Sequence, residues 1–183
     1  MKTTKLLLTG VLFLFCLSAW AVPSPTETQA AVAASEDVST PDALIRAVYE
    51  VISGPKGEER DWNRFRSLFA PDARMAAVRS RPESKEAPLT VMTPEDYVSR
   101  SGAWLEENGF IEIEVARKEE RFGHVLHAFS TYEARHAEEE AEPFMTGINS
   151  FQLVHDGERW WVHSILWEAA HAELPIPEVY RAR

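Results

Sequence analysis

Residues 147–167 read GINSFQLVHDGERWWVHSILW, and they carry the strongest structural signal in the sequence. Asp156-Gly157 is a strong signal for a tight β-hairpin turn. The flanking residues are apolar and favour strands, which predicts an antiparallel pair over residues 144–154 and 159–167. Upstream, residues 125–132 are also strand-like, and the acidic run at 138–142 with Pro143 predicts the tip of another hairpin.

Residues 111–115 alternate between apolar and acidic side chains. Ile111, Ile113 and Val115 share one parity, and Glu112 and Glu114 share the other. Successive side chains of a strand point to opposite faces, so this alternation is typical of a sheet with one buried face and one wet face. We therefore expect the apolar residues to be buried and the two glutamates to face water.

Three helices are predicted ahead of these strands, and each starts at an N-cap side chain. The three starts are Thr40-Pro41-Asp42, Asp61 and the capping box Thr93-Pro94-Glu95-Asp96. The three ends are Gly54-Pro55, Pro71 and Asn108-Gly109. Between them, residues 74–78 predict a short strand and residues 79–88 a loop. Helices followed by a run of antiparallel strands predict an α+β fold.

Length and composition exclude several classes of protein. The chain has 183 residues, 45% of them hydrophobic, which suits one packed domain. Its formal net charge is -10 and its pI is about 5.1. Nucleic acids and anionic lipid surfaces attract clustered Lys and Arg, so neither is expected as a partner. With a single cysteine, the chain can form neither a zinc finger nor a disulfide framework.

The N-terminus has the pattern of a secretory signal peptide. Lys2 and Lys5 precede an apolar run over residues 6–17, and Ala19-Trp20-Ala21 supplies a small-residue cleavage site. We predict a signal peptide over residues 1–21, a flexible leader over 22–39, and an exported protein, periplasmic or secreted, with no stable membrane anchor after cleavage. The alternative, a lipid anchor on Cys16, fits poorly because Phe15 stands where a small residue is expected.

Three stretches carry a family resemblance: ALIRAVY at 43–49, DWNRFRSLFAPDA at 61–73, and residues 147–167. Together they resemble the nuclear transport factor 2-like superfamily, in its SnoaL-like and ketosteroid-isomerase-like branch. The resemblance implies one domain over residues 40–168, followed by a C-terminal tail over 169–183. It implies a cone-shaped curved antiparallel sheet with three N-terminal helices packed on its concave face. It also implies a pocket at the open end of the cone, often in a homodimer.

Candidate pocket residues are aromatic and polar side chains placed on elements that line such a cone. Trp62, Tyr97 and Trp104 lie on predicted helix faces. The strand candidates are His127, Glu133, Asn149 and His163.

The strand candidates leave alternatives open. In strand 125–132 the inner set is either His127 with its neighbours of the same parity, or Leu126 with its own. His163 alternates with apolar residues, which also suits a core or interface histidine. Asn149 lies in an apolar strand, and a buried amide needs a partner, which is backbone, water or ligand.

No catalytic signature is present. The chain lacks a G-x-S-x-G elbow, a P-loop and an H-E-x-x-H motif. His124 and His127 point to opposite faces of a strand, so no metal site is predicted, and no cofactor is expected. The ketosteroid isomerases pair an acidic base with a Tyr–Asp oxyanion hole, but no spacing ties Tyr49, Tyr97 or Tyr132 to a carboxylate. Catalytic residues stay unassigned.

Three functional hypotheses follow. The first is an exported protein that binds a small apolar or amphipathic molecule in the cone. The second is a cofactor-independent isomerase, cyclase or dehydratase that uses the same pocket. The third is a protein-interaction module that acts through the outer sheet face. Polar groups converging at the pocket base, one with a shifted pKa, would favour the enzyme.

The last strand also predicts a homodimer. Trp160, Val162 and Leu166 share one parity, and Trp161, Ile165 and Trp167 share the other. Apolar residues on both faces need cover on both, and a two-fold pair is the commonest way to bury an exposed apolar stripe. The alternative is a monomer in which the tail folds back over the sheet through Leu174, Ile176, Val179 and Tyr180.

Overall fold

A computed structural model describes residues 32–81, 83 and 86–181 of the chain. The predicted signal peptide and most of the predicted leader lie outside the described residues. The helices are α1 (Ser35–Val38), α2 (Pro41–Ile52), α3 (Trp62–Leu68) and α4 (Pro94–Asn108). The strands are β1 (Phe69–Val78), β2 (Leu89–Met92), β3 (Ile111–Phe122), β4 (Val125–Arg135), β5 (Met145–His155) and β6 (Trp160–Ala169). A short 3₁₀-helix spans Glu178–Tyr180.

The six strands form one open sheet in the order β2-β1-β6-β5-β4-β3. This α+β arrangement of a sheet with helices on its concave face is the predicted fold class. The sheet is mixed rather than purely antiparallel, because β1 runs parallel to β6. The reason is the chain path: β1 follows directly from α3, and β1 and β2 enter the sheet before α4 instead of after the last helix.

The helix starts form as the sequence predicts. The Thr40 side chain accepts a hydrogen bond from the backbone of Ala43 at 3.1 Å, and Asp61 accepts one from the backbone of Arg64 at 2.8 Å. At α4, Thr93 and Asp96 form a reciprocal capping box. These local bonds satisfy helix N–H groups that have no partner within the helix.

Helix α1 lies within the range that the sequence predicts as a flexible leader. Asp37 receives two hydrogen bonds of 2.8 Å from the guanidinium of Arg64 on α3, and the adjacent Val38 is buried. The Arg64 side chain also bonds Glu50 on α2 at 2.9 Å. The folded part therefore begins several residues before position 40.

The faces of β3 are the reverse of the prediction. Glu112 is only 8% exposed, whereas Ile113 is 46% exposed. The register of the sheet is the cause, because it sets Glu112 opposite Ala134 and Glu114 opposite Tyr132, both inner residues of β4. The side chains do alternate between two faces, but the glutamates point toward the core and Ile113 points outward.

A bulge in β6 changes which residues share a face. Gln152 pairs with Ser164 and Leu153 with Val162, so His163 is the extra residue between them. The parity switches there, and the buried residues of β6 are Trp160, Val162 and Ile165. The face assignment predicted for this strand is therefore wrong beyond residue 162, since a bulge inserts a residue that simple alternation does not count. Ser164, Leu166 and Glu168 share the outer face.

The C-terminal tail returns to the outer face of the sheet at β4. The ring of Tyr180 lies 5.5 Å from that of Phe129, and the Thr131 hydroxyl donates to the Tyr180 carbonyl oxygen at 2.6 Å. Thr131 is buried as a result. Within the described part of the chain, no helix is both long enough and apolar enough to cross a membrane.

Candidate functional site

A cavity of about 440 Å³ lies between the concave face of the sheet and the helices, with α4 as one wall. Its volume is within the usual range of small-molecule sites. Most of the lining is apolar, and includes Val48, Phe65, Met75, Met92, Leu105, Phe151 and Ile165. The exposed lining residues Arg79, Arg100 and Trp104 mark its mouth.

Glu112 and Asn149 form the polar floor of the cavity. The Asn149 side-chain amide donates to Glu112 Oε1 at 3.0 Å and to the Tyr49 hydroxyl at 3.1 Å. Both residues are buried and both line the cavity. The backbone of β3 is fixed at this point because the Glu112 N–H donates to Ser53 Oγ at 2.9 Å.

A chain of hydrogen bonds continues from the floor to the surface. The Tyr49 hydroxyl lies 2.6 Å from Ser130 Oγ, and Ser130 donates to Glu114 Oε1 at 2.6 Å. Since Ser130 donates to the carboxylate, Tyr49 is the donor to Ser130. Glu114 is paired with Arg117 at 3.0 Å, and Arg117 with Asp42 of α2 at 2.8 Å. Glu112, Asn149, Tyr49 and Ser130 are thus held in one connected network.

The ionisation of Glu112 is shifted by its surroundings. Burial raises the pKa of this carboxyl to about 7, although the hydrogen bond from Asn149 acts in the opposite direction. Burial, together with the charge of Glu112, raises the pKa of Tyr97 and of Tyr132. Both phenols therefore stay protonated and able to donate, whereas Glu112 exchanges a proton near neutral pH.

Tyr132 and Tyr97 bring phenol groups to the same cavity as Glu112. Gly147 makes room for Tyr132, because a Cβ at position 147 would lie 2.5 Å from the Tyr132 hydroxyl. The Tyr97 ring stacks on Phe65 with centroids 5.5 Å apart and meets Trp167 edge-on at 6.3 Å. Aromatic packing thus fixes the position of Tyr97, and the missing side chain at Gly147 leaves room for Tyr132.

Three of the seven candidates from the sequence, Tyr97, Trp104 and Asn149, line the cavity. Trp62 instead lies between α3 and α4, where its indole faces Gly102 and donates to Glu106 at 2.9 Å. The sequence pattern predicts that Trp62 and Trp104 pack near Ile111 and Ile113 on the concave face, whereas Ile113 faces outward.

The other three candidates lie on strands but away from the cavity. His127 contacts Ser150 at 3.3 Å and Glu133 pairs with Arg135 at 2.8 Å, both on the outer parity of β4. Of the two inner sets left open for this strand, the structure has Leu126 and its parity inside. His163 is exposed at the bulge of β6.

Sequence reasoning missed Glu112 and Tyr132. Acidic residues that alternate with isoleucines are typical of a strand face exposed to water, so the pattern predicts that Glu112 faces solvent. The available signal was Asn149, whose amide in an apolar strand requires a partner. That partner is Glu112, two strands away.

Among the residues that the structure describes, no group of three or more His, Cys, Asp or Glu side chains is close enough to hold a metal ion. The charged lining residues in this part of the chain are Arg79, Arg100 and Glu112. The site therefore offers acid–base and hydrogen-bonding groups in an apolar enclosure.

No protein-family model and no curated protein matches this chain. Solved structures do match. A protein of unknown function with a cystatin-like fold, from Nostoc punctiforme, matches with a TM-score of 0.52 at 12% identity, over 73% of this chain and 90% of that one. This match fits the predicted α+β fold class, a curved sheet with helices packed on it.

Two NTF2-like proteins of unknown function also match. The one from Shewanella baltica has a TM-score of 0.46 at 14% identity, over 73% of this chain and 98% of that one. The one from Methylobacillus flagellatus has a TM-score of 0.44 at 13% identity, over 71% of this chain and 89% of that one. These are likenesses of fold alone, and a fold by itself transfers no activity.

Proposed function

We propose that this protein is an exported binding protein that holds a small amphipathic molecule in the cavity, with a polar group of the ligand at Glu112. The observation that carries the proposal is the buried Glu112–Asn149 pair at the floor of an otherwise apolar cavity. Apolar walls supply affinity, and a few placed polar groups supply orientation. Export is supported by the pattern of residues 1–21.

The cavity supports binding over the interaction-module hypothesis. A fold used only for its outer surface gains nothing from keeping a carboxyl buried among apolar walls, because such burial costs stability. Ligand groups that hydrogen-bond to Glu112 would offset that cost. A hydroxyl suits the ionised carboxylate, and a carbonyl suits the protonated form.

The test is to purify the protein from its native host and to detect bound molecules on the intact protein by native mass spectrometry. The bound molecules are then extracted and identified. Ala77→Phe, at a buried lining position, should fill the cavity and abolish the bound mass. Ala103→Phe adds the same side chain on the exposed face of α4 and should leave it intact. A bound mass that survives Ala77→Phe in a folded protein would contradict the proposal.

A second candidate function is proton transfer without a cofactor. Its support is that Glu112, Tyr97 and Tyr132 line one cavity and that burial raises the pKa of Glu112 to about 7, since a general base works best with a pKa near the working pH. Glu112 would take a proton from the carbon next to a ligand carbonyl. The electron pair would form a C=C bond, and Tyr97 or Tyr132 would donate to the resulting oxyanion.

This second candidate is separated from simple binding by isotope exchange. An enzyme should exchange the α-hydrogens of a bound ketone with D₂O faster than buffer does, and Glu112→Gln should abolish the exchange while binding persists. Asp42→Asn, on the exposed side of the network, is the matched control. Binding without exchange in the unmodified protein would exclude the enzyme and leave the binding protein.

A further inference from the structure

Two arginines at the mouth of the cavity stand apart from the other described arginines. Arg79 and Arg100 line the cavity and are exposed, and neither forms a side-chain hydrogen bond or ion pair with any residue in 32–81, 83 or 86–181. The other arginines of those ranges each have a carboxylate, carbonyl or aromatic partner. In a chain with 29 acidic residues, leaving these two guanidinium groups without an acid needs a reason.

The neighbouring acid is committed elsewhere. Asp96 lies one turn before Arg100 on α4. Hydrogen bonds from Thr93 lower the pKa of Asp96, and the positive charge of Arg100 lowers it further. The Asp96 carboxylate, however, receives hydrogen bonds from the backbone and hydroxyl of Thr93 at 2.9 and 2.8 Å, which cap the helix. The donors of Arg100 therefore stay available to a group at the mouth.

We propose that the ligand is an amphipathic carboxylate, whose anionic head is bound at the mouth by Arg79 and Arg100 while its apolar body fills the cavity. This inference rests on the proposed binding function. A planar guanidinium matches a carboxylate with two parallel hydrogen bonds, which makes it the preferred partner for this group. The apolar walls described above would cover the rest of the molecule.

The charge at the other end of the cavity sets the orientation. Glu112 is the acidic lining residue in the described part of the chain, and it lies at the buried floor. An anionic head beside it would place two like charges in a low-dielectric site, which is unfavourable. The head group is therefore expected at the arginines, and only a neutral group of the ligand at Glu112.

The test compares matched ligands with and without charge. Octanoate and decanoate, with octan-1-ol and decan-1-ol as uncharged counterparts, are titrated into the full mature chain by calorimetry. The acids should bind more tightly than the alcohols, and this advantage should shrink as salt is raised. Arg79→Gln with Arg100→Gln should weaken binding of the acids by about tenfold and leave the alcohols unchanged. Arg46→Gln, an exposed arginine of α2, is the control.

The outcomes separate this inference from the proposed function. If acids and alcohols bind equally, or if the arginine variants do not change the preference, the cavity binds ligands but the carboxylate assignment is wrong. If neither series binds the unmodified protein, the proposed binding function fails and the inference fails with it. Thermal melts of each variant establish that the fold is retained.

Discussion

The side-chain amide of Asn149 on β5 reaches across β4 to donate to the carboxyl of Glu112 on β3, at 3.0 Å. This one contact joins the centre of the sheet to its edge strand. It also gives a buried carboxyl the hydrogen bond that such a group needs in an apolar cavity. The same amide donates to Tyr49 of α2, so the pair links sheet and helix at the floor of the site.

The buried carboxyl makes stability depend on pH. Burial raises the pKa of Glu112 from 4.5 to about 7 in the folded protein. Its contribution to stability is therefore full below pH 4.5, is lost as pH rises toward 7, and is constant above. We expect the unmodified protein to lose ~3 kcal/mol of unfolding free energy relative to Glu112→Gln across this window.

Urea unfolding at several pH values checks this expectation. Glu120→Gln, at an exposed position of the same strand, is the control and should show no such trend against the unmodified protein. A constant difference between the unmodified protein and Glu112→Gln from pH 4.5 to 8 would mean that Glu112 ionises as it does in water.

Removing the amide should raise the pKa of Glu112 further. In Asn149→Ala the charged carboxylate loses its hydrogen bond, and the Tyr49 hydroxyl loses a donor. We expect a destabilisation of about 1–3 kcal/mol. Titration of the Glu112 carboxyl by carbon NMR measures the pKa directly. Gln152→Ala on the same strand should leave it unchanged, and an unchanged value in Asn149→Ala would refute the role of the amide.

The two helix tryptophans should differ in their effect on stability. Trp62 is enclosed by Phe65, Gly102 and Glu106, so Trp62→Ala should cost about 3 kcal/mol. Trp104 is 46% exposed at the cavity mouth, so Trp104→Ala should cost less than Trp62→Ala. Denaturant melts of both variants compare them, and equal losses would place both side chains in similar surroundings.

The homodimer through the sheet stays a prediction. The tail lies over β4 at Phe129 and Thr131, while Leu166 on β6 is 45% exposed. A homodimer through the outer face would bury Leu166, so Leu166→Glu should convert a dimer to a monomer in light scattering. A monomeric mass for the unmodified protein would contradict the homodimer.

Export predicts a mature N-terminus at Val22. N-terminal sequencing of the protein recovered outside the cytoplasm checks this, and Ala21→Leu should block cleavage after that residue. Recovery of an acylated Cys16 would replace the prediction with a lipid anchor.

The helix starts and the hairpin turn follow from short-range sequence patterns. Helix starts at Thr40, Asp61 and Thr93 follow from side chains that bond backbone groups three residues away, so neighbouring residues suffice to predict them. The Asp156-Gly157 hairpin is equally local. The resemblance to the nuclear transport factor 2-like superfamily extended these elements to a curved sheet with a pocket.

Which face of each strand points into the core depends on strand pairing, which the local sequence does not specify. Alternation along residues 111–115 states that two faces differ, but register against β4 decides that Glu112 is the inner residue. The bulge at His163 reverses parity in β6, and nothing local marks it. Glu112 and Asn149 meet across an intervening strand, 37 residues apart in sequence. Such contacts depend on how strands pair, because a shift of one residue turns every side chain to the opposite face.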